Sequence, residues 1–419
     1  MYREGRPVCE LAAVAVDDRL AYLGFHGSHS SIAVFKRETM EFVGLLTRMC
    51  GSAGKLLALG ASKKLVCFTS AGHIYIWDTS EQTVEHLLKI SNDPLTQEGF
   101  VHPDVRVHPA AKVTPESLGE CVDVDYLPGT STLVSLGPTG TLTFYDLSSG
   151  TETGSCHPEH DEGTRALCLL VNTCLATFRE RKGYWVAIGF SKGRATVVFL
   201  PVTGKVEEMD GEAGSGAEVD TTDLYSISRC TGERSDVQCL AFRQRSSSST
   251  SMTVVAGCSD GALRCFVFKL GPDELQPHKS ATYLHCRGAK KGAITHLVSG
   301  CSHDGSPYVV SLCVMQLPFD FHTAPLVDAK QSLADSSTFC TEVVLQTLLP
   351  DQCNTYQLLA QLREVVSDIK LGVDGTSFLL TTFDDVYVIS RLESENGWSK
   401  PKKLVWQTPE NMKLLSKVW

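Results

Sequence analysis

The sequence predicts an all-β protein built from a repeated unit, and three observations carry that expectation. Short apolar strand-sized runs, bounded by Gly, Ser, Asp and Asn, recur from Leu11 to Trp406 with a side-chain period of two. One local pattern returns along the chain: an apolar run, a turn with Gly or Asp, then an alternating strand that ends near an aromatic residue or Asp. Helical spacing is confined to 355–366, where Leu358, Leu359, Leu362, Val365 and Val366 predict a short helix or linker turn.

The repeats read in order as GSHSSIAVF at 27–35, SAGHIYIWD at 70–78, PTGTLTFYD at 138–146, SKGRATVVF at 191–199, SDGALRCFVF at 259–268 and FDDVYVIS at 383–390. The last interval is wide enough for two periods, and a degenerate unit around 294–315 fills it. That makes seven units, with six or eight as the alternatives. Gly72, Gly140, Gly193 and Gly261 fall in the tight turns, where a positive φ is expected.

The Trp77–Asp78 dipeptide and its near copy Tyr145–Asp146, each preceded by a compatible strand (KKLVCFTS and STLVSLG), give the chain its resemblance to the WD-repeat β-propeller superfamily. YWVAIGF and MTVVAGCSDG fit the same upstream strand, so the resemblance runs over nearly the whole length. It implies a single closed β-propeller of seven four-stranded blades. Physics favours the same picture, because one such unit cannot bury both faces alone and circular closure leaves only short, protected edges. The blades are expected at 11–47, 55–90, 119–156, 165–229, 236–286, 292–349 and 369–407 of a single domain, 1–419. Trp77, Tyr145, Phe199 and Phe266 are expected between neighbouring blades. Four insertions lie outside the pattern: a Pro- and His-bearing loop at 91–118, an acidic Gly-rich tract at 207–220, a serine tract at 245–251 and an irregular stretch at 317–337. The two mid-chain tracts read as disordered, and the serines as possible phosphate acceptors.

Composition excludes several classes. Apolar residues at 42% and charged residues at 21% match ordinary globular proteins, which excludes global disorder. At 419 residues the chain can bury a core without disulfides or metal. A net charge of −10 argues against a dedicated nucleic-acid binder or a polybasic membrane-surface protein. No run reaches the ~18 apolar residues of a membrane helix, so membrane association is expected only indirectly. The apolar stretch 11–16 is too short for a secretory signal. Of 16 cysteines, Cys67, Cys168, Cys239, Cys265 and Cys313 sit inside apolar runs, and no CxxC occurs. Reduced thiols and an intracellular setting follow, with the cytoplasm expected first and the nucleus as the alternative.

Chemistry-bearing clusters have plainer explanations. CHPEHDEGTRALC, with Cys156, His157, His160, Asp161 and Cys168 and then Cys174 beyond it, lacks the paired spacing of a zinc site. The resemblance implies that His160 hydrogen-bonds within its blade. His102, Asp104 and His108 lie in a proline-stiffened loop, better suited to recognition than to a metal. Neither a GxSxG elbow nor a phosphate-binding glycine loop is present. Arg179, Arg181 and Lys182 faintly resemble a phosphoinositide-binding pair, although Glu180 interrupts them; with Arg287, Lys290 and Lys291 they read as solvated turns.

No cofactor and no catalytic or metal residue is expected. The function expected from the resemblance is a non-catalytic protein–protein interaction scaffold, or a subunit of an intracellular complex. A regulatory propeller that binds phosphoinositide or RNA through basic turns is the alternative, and a propeller enzyme with a central-channel site ranks below it. Partner contact is expected in loop 91–118, at Phe100, Val101, Arg106 and His108. Its valines offer apolar anchors and its prolines limit the ordering cost of docking, and its removal is expected to leave the strand ladders intact.

Overall fold

The computed structural model describes residues 2–3, 6–7, 11–17, 19–25, 31–59, 63–80, 106–107, 109–113, 121–158, 163–203, 218–220, 225–230, 235–243, 251–271, 274–284, 292–301, 307–316, 339–347, 355–362, 364–371, 376–382, 385–392, 397–405 and 408. Two short strands near the N-terminus, β1 (Tyr2–Arg3) and β2 (Arg6–Pro7), pair with each other. Blade one follows as β3 (Leu11–Val16), β4 (Leu20–Phe25), β5 (Ile32–Lys36) and β6 (Phe42–Leu46). Blade two starts with β7 (Ala53–Leu59), β8 (Lys64–Thr69) and β9 (Ile74–Asp78). The chain then lays β10 (Arg106–Val107) parallel to β6 and returns as β11 (Ala111–Val113), antiparallel to β9.

Blade three comprises β12 (Asp123–Leu127), β13 (Thr132–Leu136), β14 (Leu142–Asp146) and β15 (Glu152–Cys156). Blade four runs β16 (Ala166–Val171), β17 (Ala176–Phe178), β18 (Arg181–Phe190), β19 (Arg194–Thr203), β20 (Glu218–Val219) and β21 (Tyr225–Cys230), with β17 and β20 as short additions. Blade five is β22 (Val237–Arg243), β23 (Ser251–Cys258), β24 (Ala262–Leu270) and β25 (Leu275–Leu284), and blade six β26 (Ala293–Cys301), β27 (Pro307–Gln316), β28 (Phe339–Thr347) and β29 (Thr355–Leu362). Blade seven is β30 (Val366–Leu371), β31 (Ser377–Thr382), β32 (Val386–Ser390) and β33 (Lys402–Leu404). These seven antiparallel sheets form a closed ring, a seven-bladed β-propeller, with the first strand of each blade innermost.

The core lies between blades rather than within them. Trp77 is fully buried among Tyr22, Val34 and Leu46 of blade one. Tyr145 fills the space between blades two and three. Phe199 and Phe266 share the seam between blades four and five, where Trp185, Phe178 and Phe242 join them. The ring shuts where Val386, Leu379 and Leu404 of blade seven meet Leu11, Val14 and Leu23 of blade one. Among the described residues no strand crosses that last seam, and the contacts across it are side-chain packing.

Close approach between blades depends on glycine at three equivalent places, and a Cβ on Gly24 would stand 2.5 Å from Ala53 Cβ. A Cβ on Gly189 would stand 2.6 Å from Val237 Cγ1, and one on Gly257 2.6 Å from Ile294 Cγ2. In each case the second strand of one blade receives the inner strand of the next. The four turn glycines named above hold φ between +70° and +83°.

Two expectations are corrected. The short helix or linker turn expected over 355–366 is instead mostly strand, β29 and the start of β30. Val343 pairs with Ala360 and Val344 with Leu358, which leaves Leu359 as an extra residue. That bulge slips the period-two alternation by one and spaces the leucines like a helix face. Loop 91–118 is also not separable from the ladders, because it supplies β11, the outer strand of blade two, and β10, an extra strand on blade one. A short excursion adds a strand wherever an edge has free N–H and C=O groups, and both blades offer one.

Candidate functional site

The inner strands share one irregularity. In blades one, two, four, five and seven the register slips just after the first residue, and in blade six after the second, which leaves Ala12, Gly54, Leu167, Gln238, Ser367 and Thr295 unmatched. A bulge re-aims the side chains beside it. The residues that follow are Ala13, Lys55, Cys168, Cys239, His296 and Asp368, so five of the six carry chemically active groups. They form one tier around the central channel.

Blade three has no such slip and contributes two carboxylates instead. Period two in Asp123–Val124–Asp125 places both acids on one side of β12 and Val124 on the other, in the seam with blade two. Asp123 Oδ2 accepts the Leu169 amide at 2.9 Å, and Asp125 Oδ2 accepts the Val171 amide at 2.8 Å. Innermost strands present unpaired amides toward the channel, and these carboxylates satisfy two of them. Lys55 Nζ reaches across from blade two to Asp123 Oδ1 at 2.7 Å. One chain of polar contacts therefore ties blades two, three and four.

The electrostatics follow from burial set against these partners. Burial opposes the charge on Lys55, but Asp123, Asp125 and Asp368 outweigh it and hold the ammonium above its ordinary pKa. Burial raises the Asp125 carboxyl, against Lys55 and two backbone amides. His296, with Nδ1 3.0 Å from Thr295 Oγ1, is pushed down by burial and by Lys370 and Lys55, against Asp368, which favours the neutral ring. Cys168 Sγ donates weakly to the Val237 carbonyl, and Cys239 Sγ to that of Ile294, both at 3.6 Å. Burial drives both thiols well up, so at neutral pH they are protonated and poor nucleophiles. The tier braces the ring.

A second feature lies beside it. A cavity of about 430 Å³ opens where blades seven, one and two meet. Its walls are apolar, including Val14, Leu23, Leu57, Leu59, Leu379 and Val388, and its charged lining groups are Arg37 and Lys370. Arg37 Nη1 donates to the Asp17 carbonyl at 3.4 Å, and Lys370 Nζ lies 3.4 Å from Asp368 Oδ2.

The residues singled out in the sequence are dispersed. Arg106 lies in β10 on the outer edge of blade one, while Phe100, Val101 and His108, together with His102 and Asp104, fall outside the described residues. Cys156 is buried between blades three and four and Cys168 between four and five, on opposite sides of blade four. Cys174 is exposed, His157 Nδ1 lies 3.0 Å from Thr141 Oγ1, and His160 and Asp161 are outside the described residues. Among the described residues no group of three metal-ligating side chains converges. The basic turn at 178–183 is engaged locally: Arg181 pairs with Asp220, and Arg179 lies over the rings of Phe178 and Tyr225. Arg287, Lys290 and Lys291 fall outside the described residues, as does the serine tract apart from Ser251. Sequence reading passed over Lys55, Asp123 and Asp125. Their only signal is an acid–apolar–acid step at the start of a repeat.

No family model matches the chain, and no curated protein does. Similar solved structures include the WD40 repeats of RRP9, at TM-score 0.51 and 12% identity, covering 90% of this chain and 88% of that one. The β-propeller domain of Myceliophteria thermophila Cps50 (Swd1) is similar at TM-score 0.51 and 11% identity, over 91% and 97%. At this identity the likeness concerns architecture. The chain has the seven-bladed fold of WD40-repeat propellers.

Proposed function

We propose that this propeller is a non-catalytic platform on which other proteins assemble. One observation carries the reading: the channel's ammonium and carboxylates, the groups a channel enzyme would use on a substrate, are bound to neighbouring blades. The likeness to WD40 propellers supports it by analogy of fold. Partner contact is proposed through Phe100, Val101, Arg106 and His108, of which Arg106 lies in β10 on the outer edge of blade one. The assembly is proposed to be cytoplasmic, with the nucleus as the alternative, which microscopy of the tagged chain decides. Affinity purification of the full chain followed by mass spectrometry tests the platform reading. A discrete set of proteins in fixed ratio is expected, and a Phe100→Ala/Val101→Ala variant should lose at least one of them. A chain recovered alone, at its own mass, would overturn the proposal.

A further inference from the structure

The cavity beside the closing seam is not used by the tier of bracing residues. Its volume of about 430 Å³ falls in the range of small-molecule sites, which are mostly apolar with a few placed polar groups. Its walls come from three blades, and among the described residues they carry no carboxylate. Lys370 is already near Asp368, but among the described residues no carboxylate pairs with Arg37, whose guanidinium makes a long bond to the Asp17 carbonyl. A guanidinium beside an apolar hollow presents a planar fork to a carboxylate and leaves the rest of the ligand to the aliphatic walls.

We propose that this cavity binds a small amphipathic anion, an apolar body carrying a single carboxylate, with Arg37 holding the acid. The site is separate from the protein contacts proposed above. An occupant would touch blades seven, one and two at once and so stabilise the ring at the seam held by side-chain packing.

The test uses the full chain with decanoate, below its micelle concentration, and with decanol as the uncharged counterpart. Calorimetry should show one saturable decanoate per chain, and the melting temperature should climb with concentration. Arg37→Gln should weaken decanoate about tenfold and leave decanol unchanged, as expected for losing one charge-assisted bond. Ala58→Phe, which fills the hollow from blade two, should abolish both. Arg37→Gln keeps the question decidable if Ala58→Phe does not fold, because Arg37 is half-exposed. Absence of saturable binding to the natural chain overturns the site. Equal binding of decanoate and decanol, or an Arg37→Gln variant that binds decanoate normally, overturns the assignment of an anion.

Discussion

The seam between blades four and five and the seam between seven and one close the same ring by different means. At the first, Phe178, Trp185 and Phe199 of blade four meet edge-on or tilted, with ring centroids 4.9–5.3 Å apart, facing Phe242 and Phe266 of blade five, and Gly189 lets Val237 press against the second strand. At the second, Leu379, Val386 and Leu404 of blade seven supply only aliphatic contacts to a face that holds Phe25, Phe35 and Phe42, the last two edge-on at 5.8 Å, and a cavity runs alongside. Offset aromatic pairs add stability beyond the area they bury, whereas a void withholds contacts from its lining. A ring of similar sheets therefore need not be equally strong all round, and its weakest joint is expected where the first blade meets the last.

The largest test of that contrast is Trp185→Ala, expected to cost about 3–5 kcal/mol in urea unfolding. Val386→Ala, across the seven–one seam, should cost about 1–2 kcal/mol, since the hollow beside it already lacks contacts. Equal losses would break the comparison. Next in size is Gly189→Ala, whose new methyl meets Cys168 Sγ at 2.5 Å and the buried Val237, at about 1–3 kcal/mol. Replacing 92–117 by a short Gly-Ser linker should lower the melting temperature, because β10 and β11 go with it. An unchanged melting temperature would show that those strands contribute nothing to either blade.

The smallest effect concerns alkaline pH. Burial raises the Cys168 thiol far above its ordinary 9.0, so the fold keeps a proton that the unfolded chain releases. The native state then binds more protons, and stability falls as pH rises past 9.0, by up to about 1.4 kcal/mol per pH unit for this one group. Cys67, Cys156, Cys239 and Cys265 are raised by burial too, so Cys168→Ala should lessen the slope of that limb of a melting-temperature profile without removing it. Val386→Ala should leave its slope intact, since no cysteine belongs to the seven–one cluster.

Much of the architecture was legible in the sequence because turn and strand chemistry repeat together. Trp77 and Tyr145 mark third strands, and the glycines before them mark the turns that need a left-handed backbone. Departures arose wherever one extra residue breaks the period. The bulge at Leu359 disguised an outer strand as a helix, and the inner-strand bulges have no residue signature at all. The bracing tier was hidden for the same reason. Lys55, His296 and Asp368 come from blades far apart in sequence, and only closure of the ring brings them round one channel.

Blades three to seven each complete their four main strands before the next begins, and the exchange of β10 and β11 is confined to blades one and two. The blade order is therefore largely independent of where the polypeptide happens to be cut. A circular permutant broken in the connection between blades four and five, with a new linker from blade seven to blade one, would retain every ladder hydrogen bond. It would also exchange the liabilities of the two joints, since the seam beside the cavity would gain a covalent tether and the seam between blades four and five would lose its own.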